Sequence, residues 1–153
     1  MSTTIEGPSL EQTRLCVPLL RLLPDWFGQE AGIQNYEREI GKLPTFLADM
    51  DGQLVGFLSL KHHTPYSAEV YVMAVHPLFH RCGIGRSLMQ AAEAYAKEQG
   101  IEYMQVKTLG PSRADKGYAK TRAFYESLGF RPIEEFKQIW DENNPCLILV
   151  KKL

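Results

Sequence analysis

The sequence contains few cysteines, no long apolar run and no excess of basic residues, and each of these features excludes a class of protein. The three cysteines, Cys16, Cys82 and Cys146, are odd in number and scattered through 153 residues, so they form neither a disulfide framework nor a zinc-binding spacing. The chain has no apolar run of about 18 residues, so no transmembrane helix is expected. Its formal net charge of −1 gives no overall field that would attract nucleic acid or an anionic membrane.

Composition and the first residues favour an ordinary soluble protein. Apolar residues make up 44% of the chain and charged residues 23%, as in globular domains. Residues 1–11 lack the basic start and apolar stretch of a secretory signal. No internal repeat or linker is visible, so we expect a single domain over residues 1–153, reduced and cytoplasmic. His62 and His63 would point to opposite faces of a strand, and we expect no metal site.

Apolar periodicity and turn residues predict the order of helices and strands. The predicted helices cover residues 9–23, 29–40, 83–99 and 118–128. The predicted strands cover residues 45–50, 53–61, 68–75, 102–108, 131–140 and 146–152, with Asp51-Gly52 as a hairpin signal between the first two. Residues 61–67 and 109–117 are predicted loops. This order predicts an α/β (α+β) fold in which helices flank a mixed, mostly antiparallel central sheet.

The most informative segment is a strand that ends at Pro77 and is followed by a helix with two glycines at its start. Unpaired N–H groups at a helix start lie at the positive end of the helix dipole, and Gly83 and Gly85 leave them open to a phosphate. Arg81 and Arg86 flank the turn and can add charge-assisted contacts, so a diphosphate is the predicted ligand. The short glycine pattern alone fits an unliganded turn equally well. It is neither a dinucleotide-binding fingerprint nor a P-loop.

Two separated motifs resemble those of the GNAT superfamily of N-acetyltransferases. The family's core motif, Q/R-x-x-G-x-G/A after a strand, is similar to His80-Arg81-Cys82-Gly83-Ile84-Gly85 after Met73-Ala74-Val75-His76-Pro77. His80 stands where the family usually has Gln or Arg. The family's helix-to-strand ending, F-Y-x-x-L-G-F, is similar to Phe124-Tyr125-Glu126-Ser127-Leu128-Gly129-Phe130. The resemblance covers most of the chain from Thr45 onward and implies a single GNAT-like domain.

The resemblance implies an acetyl-CoA-dependent N-acetyltransferase that passes the acetyl group directly to a primary amine in a ternary complex. It implies that the strand backbone at Met73, Ala74 and Val75 pairs with the pantetheine arm and polarises the thioester carbonyl. It also implies that amides of the following turn hold the coenzyme A diphosphate, namely those of Arg81, Cys82, Gly83, Ile84, Gly85, Arg86 and Ser87. The Cys82 side chain is expected to be a spacer, because the family transfers the acetyl group directly to the amine.

Two side chains are candidates for proton transfer. Tyr125 lies where the family often has a tyrosine near the thioester sulfur, which implies a general acid for the leaving thiolate, and Tyr118 stands where the family frequently has Asn. Glu69 is the first candidate for the base that accepts the amine proton, since the strand period of two puts it on one face with Tyr71 and Met73. This position resembles that of the catalytic glutamate in the histone-acetyltransferase branch. A solvated glutamate is the alternative, and loop candidates for the base are His62, His63, Asp115 and Glu142.

The acceptor is expected to be a small-molecule amine, with no nucleic-acid or membrane partner. A protein lysine or N-terminal acetyltransferase is the alternative within the enzyme class, and a non-catalytic acyl-CoA sensor is the alternative outside it. Residues before Thr45 and the two predicted loops should line the acceptor site, with residues 23–28 as a candidate wall. An acidic pocket would favour a polycation, and the acidic residues available for it are Asp25, Glu30, Glu37, Glu39, Asp141 and Glu142. The oligomeric state stays open, a homodimer included.

Overall fold

One mixed sheet forms the centre of the molecule. The computed structural model describes residues 2–153, and within them the strands are β1 Thr3–Ser9, β2 Thr45–Met50, β3 Gln53–Thr64, β4 Ser67–Val75, β5 Tyr103–Leu109, β6 Arg131–Asp141 and β7 Asn144–Lys152. They lie side by side in the order β1-β2-β3-β4-β5-β7-β6. β4 and β5 run parallel, and the other neighbours pair antiparallel. The predicted α/β fold with a mixed, mostly antiparallel sheet is confirmed.

Helices pack on both faces of this sheet, and their bounds are α1 Thr13–Arg21, α2 Glu30–Ile40, α3 Ile84–Glu98 and α4 Lys116–Ser127. α3 has apolar residues four positions apart, and Ile84, Leu88 and Ala92 form a buried stripe on one face of the sheet. On the other face, Leu20 of α1 packs in one cluster with Phe57 of β3. Within residues 2–153, no helix has the length and apolar character needed to cross a bilayer.

The N-terminal strand β1 was not predicted, and the first helix starts at Thr13 and not at residue 9. Gly7 and Pro8 interrupt the alternating pattern by which a strand is recognised, because both residues are unfavourable in strands. The hydrogen bonds of β1 come from pairing with β2, where Ile5 lies opposite Ala48. Its existence therefore depends on a partner strand that lies 36 to 47 positions away along the chain.

The predicted loop over residues 61–67 is wrong, because β3 extends to Thr64 and β4 already begins at Ser67. The Thr64 hydroxyl accepts the backbone N–H groups of Tyr66 and Ser67, each at 3.1 Å, and these bonds close a tight turn. The polar side chains at the end of β3 are exposed, and for that reason they have the composition of a loop.

The sheet opens between β4 and β5. The two strands pair over Ser67–Val70 and Tyr103–Val106, near the start of each strand. β4 then continues to Val75 and β5 to Leu109, beyond the residues that pair. The edge of β4 that faces this gap therefore presents backbone groups that no neighbouring strand uses.

A β-bulge at Tyr71 accompanies this opening. The register of β4 on β3 skips Tyr71, which has no residue opposite it. A bulge bends its strand and, by adding one residue, shifts the side-chain alternation beyond it. The prediction that Glu69, Tyr71 and Met73 share one face is therefore wrong for Met73. Met73 packs against the α3 side of the sheet, whereas Tyr71 packs against the side that α1 and α2 cover.

Candidate active site

A cavity of about 790 Å³ lies where β4 and β5 separate. It is lined by β4 from Val70 to Val75, by the turn into α3, by α4 and by the α1–α2 connection. This volume is typical of a site for a small molecule or cofactor. Of the residues that the sequence singled out, the lining includes Met73, Ala74, Val75, Arg81, Gly83, Ile84, Gly85, Arg86, Tyr118 and Tyr125, while Cys82, Ser87 and Glu69 lie outside it.

The turn that begins α3 presents a group of backbone N–H donors. Arg81, at φ 64°, and Gly83, at φ 80°, both have left-handed backbone conformations, which direct successive N–H groups toward one side. The Ser87 N–H donates to the Gly83 carbonyl at 3.0 Å, so the amides between these residues have no carbonyl one turn earlier to bond to. A Cβ at Gly83 would meet no atom within 4 Å. Open space therefore lies beside unpaired amides, which is the geometry of an anion site.

The second glycine of the motif serves helix packing. A Cβ at Gly85 would lie 3.0 Å from Cζ of Phe124, so any larger residue would displace that ring. Phe124 belongs to α4 and to the second of the two sequence motifs. The two motifs, nearly forty residues apart in the chain, are therefore in contact in the folded protein.

His80, which replaces the usual Gln or Arg of the motif, has a structural contact of its own. Its Nε2 lies 2.8 Å from the Val75 carbonyl oxygen, and since a carbonyl only accepts, Nε2 is the donor. The bond joins the end of β4 to the turn that precedes α3. The ring also packs edge-on against Trp26, with 6.2 Å between ring centroids. His80 therefore stabilises the turn from its side chain and leaves the amides of the turn free.

Tyr125 is mostly buried and lines the cavity. Its ring packs against Phe124 and Phe130, at centroid distances of 5.5 and 5.8 Å. Burial, and then the nearby hydroxyls of Tyr36 and Tyr118, raise the pKa of Tyr125 well above its ordinary value. The hydroxyl is therefore protonated at neutral pH and available as a hydrogen-bond donor to a group in the cavity.

Glu69 is 5% exposed, so the alternative of a solvated glutamate is wrong. Its Oε1 lies 2.7 Å from Nε2 of His63 and 3.4 Å from Nζ of Lys107. These two contacts compensate the carboxylate for the water it loses on burial. Lys107 lines the cavity and so connects the glutamate to it.

The other candidates for the base occupy different environments. His62 and His63 lie on β3 and point to opposite faces as expected, since His62 packs against Tyr95 of α3 while His63 contacts Glu69. The Asp115 carboxylate accepts the backbone N–H of Tyr118 at 3.0 Å and caps α4, which begins two residues earlier than predicted. Glu142 lies in the exposed turn between β6 and β7. Of these four alternatives, only His63 contacts Glu69, the first candidate for the base.

Tyr36 belongs to an aromatic wall of the cavity, and the sequence did not reveal this residue. Tyr36 of α2 stands edge-on to both Phe27 and Tyr71, at centroid distances of 5.7 and 5.6 Å. Burial, and then the charges that Tyr71, Tyr118 and Glu69 would contribute, raise the pKa of Tyr36 to about 12. A usable signal was present, because Tyr36 follows Ile33 by three positions and therefore shares the inward stripe of α2.

The α1–α2 connection packs on α4 and completes the wall. The Tyr118 hydroxyl donates to the Trp26 carbonyl at 3.1 Å, and Nε1 of Trp26 donates to the Thr121 hydroxyl at 3.1 Å. Tyr118, which stands where the family frequently has Asn, thereby holds the loop. Trp26 and Phe27 both line the cavity, and the role of residues 23–28 as a wall of the acceptor site stays a prediction.

Comparison with known sequences gives a consistent result. The family model for the acetyltransferase (GNAT) domain matches residues 42–132. An uncharacterised N-acetyltransferase of Chlorobaculum tepidum is 33% identical over 104 residues, covering 66% of this chain and 60% of that protein. Mycothiol acetyltransferase of Salinispora tropica is 38% identical over 87 residues, covering 54% of this chain and 26% of that protein. The chain thus matches less than two thirds of the length of either relative.

Solved structures share the fold over the whole chain. A Desulfovibrio desulfuricans protein of the GNAT family gives a TM-score of 0.85 at 18% identity, with 99% of both chains covered. A GNAT-family acetyltransferase of Elizabethkingia anophelis, solved with acetyl-CoA bound, gives 0.73 at 19% identity, with 99% of this chain and 98% of that chain covered. Fold, site geometry and the family match over more than half of the sequence agree. The chain belongs to the GNAT family of acetyltransferases.

Proposed function

We propose that the protein is an N-acetyltransferase that moves an acetyl group from acetyl-CoA to a primary amine of a small molecule, directly and within a ternary complex. One observation carries the proposal. The free amides of the α3 turn, the unpaired edge of β4 and the Tyr125 hydroxyl all belong to a single cavity. The acetyl-CoA bound in the Elizabethkingia structure supports the choice of donor.

The residues of the cavity fit coenzyme A. Gly83 leaves space beside the amides of the turn, and the exposed Arg81 and Arg86 can pair with a diphosphate there. The backbone of Met73, Ala74 and Val75 offers the edge along which an extended arm can bind as an added strand. Acetyl-CoA supplies the acetyl group as a reactive thioester. The parts played by Cys82 and Ser87 stay predictions, and the Ser87 amide already bonds to Gly83.

The chain's own groups can perform the remaining tasks. A backbone donor on the β4 edge stabilises negative charge on the carbonyl oxygen in the transition state. The Tyr125 hydroxyl donates a hydrogen bond to the departing sulfur. Glu69 accepts the proton that the amine must lose, through a water molecule, because the carboxylate lies outside the cavity lining. The aromatic wall of Tyr36 and Trp26 excludes bulk water from the reacting groups.

Small-molecule acceptors are favoured by the cavity itself, since the α1–α2 connection docks on α4 and forms one of its walls. The name of the mycothiol acetyltransferase relative also denotes a small molecule. A protein lysine or N-terminal acetyltransferase and an acyl-CoA sensor are the competing functions. Both can be distinguished by experiment.

The test is release of free thiol from acetyl-CoA with three sets of acceptors: small amines, peptides with a free N-terminus, and peptides with an internal lysine. We expect saturable release with members of the first set and only background release with both peptide sets. Peptide turnover above that of every small amine would replace the proposed acceptor class. Coenzyme A binding without turnover in any set would favour the sensor.

A further inference from the structure

We propose that the acceptor carries an anionic group, a carboxylate or a phosphate, besides its amine, and that Lys107 binds this group. The inference rests on the proposed function, since it names the substrate class of the same site. The charged side chains that line the cavity have the opposite sign to those of an acidic, polycation-binding pocket.

The charged side chains that line the cavity are all basic. They are Arg81, Arg86, Lys107 and Lys120, and within residues 2–153 the lining contains no Asp or Glu. Like charges repel across the low-dielectric interior of a cleft, so a polyamine would gain nothing here and would lose its hydration. An anionic substrate is attracted by the same side chains, and this attraction offsets the hydration that it loses.

Three of the six acidic residues that could have formed a polycation site are engaged elsewhere. Glu30 pairs with Arg21 at 2.7 Å, and Glu39 pairs with Lys42 at 3.3 Å. The Asp141 carboxylate accepts backbone N–H groups in its own turn. None of the six lines the cavity, so the acidic pocket that would favour a polycation is not formed by these side chains.

Lys107 lies too far from the α3 turn to be part of the diphosphate site. Its Nζ is 3.4 Å from the Glu69 carboxylate, near the start of β4, whereas the α3 turn follows Val75 at the end of that strand. Six residues of extended strand separate Glu69 from Val75, a distance of about 20 Å at about 3.3 Å per residue. The cavity thus has basic groups at two separate positions. One suits the diphosphate and the other is left for the acceptor.

The positive charge of Lys107 is not cancelled by Glu69. The same carboxylate also contacts His63 at 2.7 Å, and Lys61 lies opposite Glu69 in the β3–β4 register. Lys61 also places its ammonium 5.3 Å from the centroid of the Tyr71 ring. That ring face, the natural place for a cationic ligand in an aromatic wall, is therefore already occupied by a cation. Burial, and then the charge of Glu39, raise the pKa of Tyr71, but Glu39 pairs with Lys42 at 3.3 Å. Glu69 has His63 as a second partner and Lys61 opposite it, so Lys107 keeps part of its positive charge for a ligand.

The test compares acceptors in matched pairs that differ only in the anionic group: an amino acid with its carboxamide, and an amino-sugar phosphate with the free amino sugar, with spermidine as the polycation. We measure kcat/KM by thiol release and, separately, the affinity of each amine for the protein by calorimetry. The parent should prefer the anionic member of at least one pair by about tenfold or more, and spermidine should rank below it. Which pair responds tells carboxylate from phosphate.

The Lys107→Gln variant should reduce that preference by about 10- to 100-fold, the factor that one charge-assisted hydrogen bond supplies. Because Lys107 also contacts Glu69, turnover of both members of a pair should fall by a common factor, and the preference is read from the ratio between the two members. Lys107→Arg should retain the preference, and Lys97→Gln, which removes an exposed lysine of α3, is the matched control.

Equal losses for both members of a pair in Lys107→Gln would overturn the proposal, because Lys107 would then act only by positioning Glu69. A parent enzyme that prefers spermidine or the neutral members would overturn it as well. If no amine is acetylated, the proposed function fails. The affinities measured by calorimetry then still test whether Lys107 binds the anionic group. Binding of the anionic amines that Lys107→Gln abolishes would support it, and equal binding by both proteins would reject it.

Discussion

At the scale of single residues, Glu69 is a buried carboxylate that two neighbouring side chains hold in place. A carboxylate buried without partners would cost several kcal/mol, and here His63 and Lys107 provide them from two different strands. The side chain is therefore held in one place beside the cavity. A fixed acceptor for a proton is what an amine-acetylating enzyme needs.

Replacing Glu69 by Gln should lower turnover roughly 10²-fold while coenzyme A affinity hardly changes, because the amide keeps the shape but cannot accept the proton. The acidic limb of the pH–rate profile should move with the substitution. His63→Gln is the informative companion, since it removes the neighbour and keeps the carboxylate. An unchanged profile in Glu69→Gln, with a loss in His63→Gln, would assign the base to His63.

Tyr125→Phe should lower kcat by roughly 10²-fold, at the lower end of the range for general acids, and cost only about 1 kcal/mol of stability. The reason is the raised pKa of Tyr125, which makes complete proton release unfavourable and leaves hydrogen-bond donation as its main contribution. An acetyl donor with a more acidic thiol should rescue the variant more than the parent. Tyr95→Phe, on α3 and outside the cavity lining, is the control. Equal rates for parent and Tyr125→Phe with both donors would make Tyr125 a packing residue.

At the scale of elements, the α3 turn and the bulged strand β4 together create the site. The turn exposes amides because two residues with positive φ precede the first full helical bond. β4 exposes its edge because the sheet opens after Val70. Neither element needs a charged side chain to do this, so the site depends on backbone conformation more than on residue identity.

The substitution Gly83→Asp tests the turn, since it would place a carboxylate in the space beside the amides. Burying it next to a diphosphate costs several kcal/mol, so calorimetry should show no coenzyme A binding while the protein still folds. Gly52→Asp is a matched control. Gly52 also has a positive φ, at 86°, and open space around a Cβ, but it lies in the β2–β3 turn. Equal coenzyme A affinity in the two variants would remove the turn from the binding site.

At the scale of the whole molecule, α1 and α2 bring their side chains to the sheet face that carries Glu69 and Tyr71. Tyr36 is the clearest example, because it contacts residues from the α1–α2 connection and from β4. Its burial is a property of the assembled fold and is lost on unfolding. The stability of the protein should therefore respond to the ionisation of this side chain.

Tyr36→Phe should make the folded state more resistant to alkali. The pKa of Tyr36 rises from 10.0 to about 12 in the folded protein, so only the unfolded chain ionises as the pH passes 10. The stabilising contribution is complete below pH 10 and is lost by about pH 12, which amounts to about 2 to 3 kcal/mol. Urea unfolding at several pH values from 9 to 12 should show a shallower decline for Tyr36→Phe than for the parent. Tyr66→Phe, at an exposed tyrosine, should decline like the parent, and parallel curves for all three would contradict the assignment.

The sequence by itself determined the features that arise from neighbouring residues. The glycine turn, the stripe of Ile84, Leu88 and Ala92 on α3, and the mixed sheet were predictable because dihedral preferences and hydrogen bonds one turn apart act locally. The two motifs also contain ten of the residues that line the cavity. They could do so because each motif is a short continuous stretch of chain at the junction of two elements.

Only the tertiary structure decided the features that join distant segments. The bulge at Tyr71 shifts Met73 to the other face, and no local pattern signals it. The contact of Lys107 with Glu69 spans 38 positions along the chain, and β1 exists only through its pairing with β2. Such contacts depend on strand register and on which helices cover each face. Register and helix placement are set by the burial of the whole core, and this is why the contacts around Glu69 and Lys107 became visible only in the folded protein.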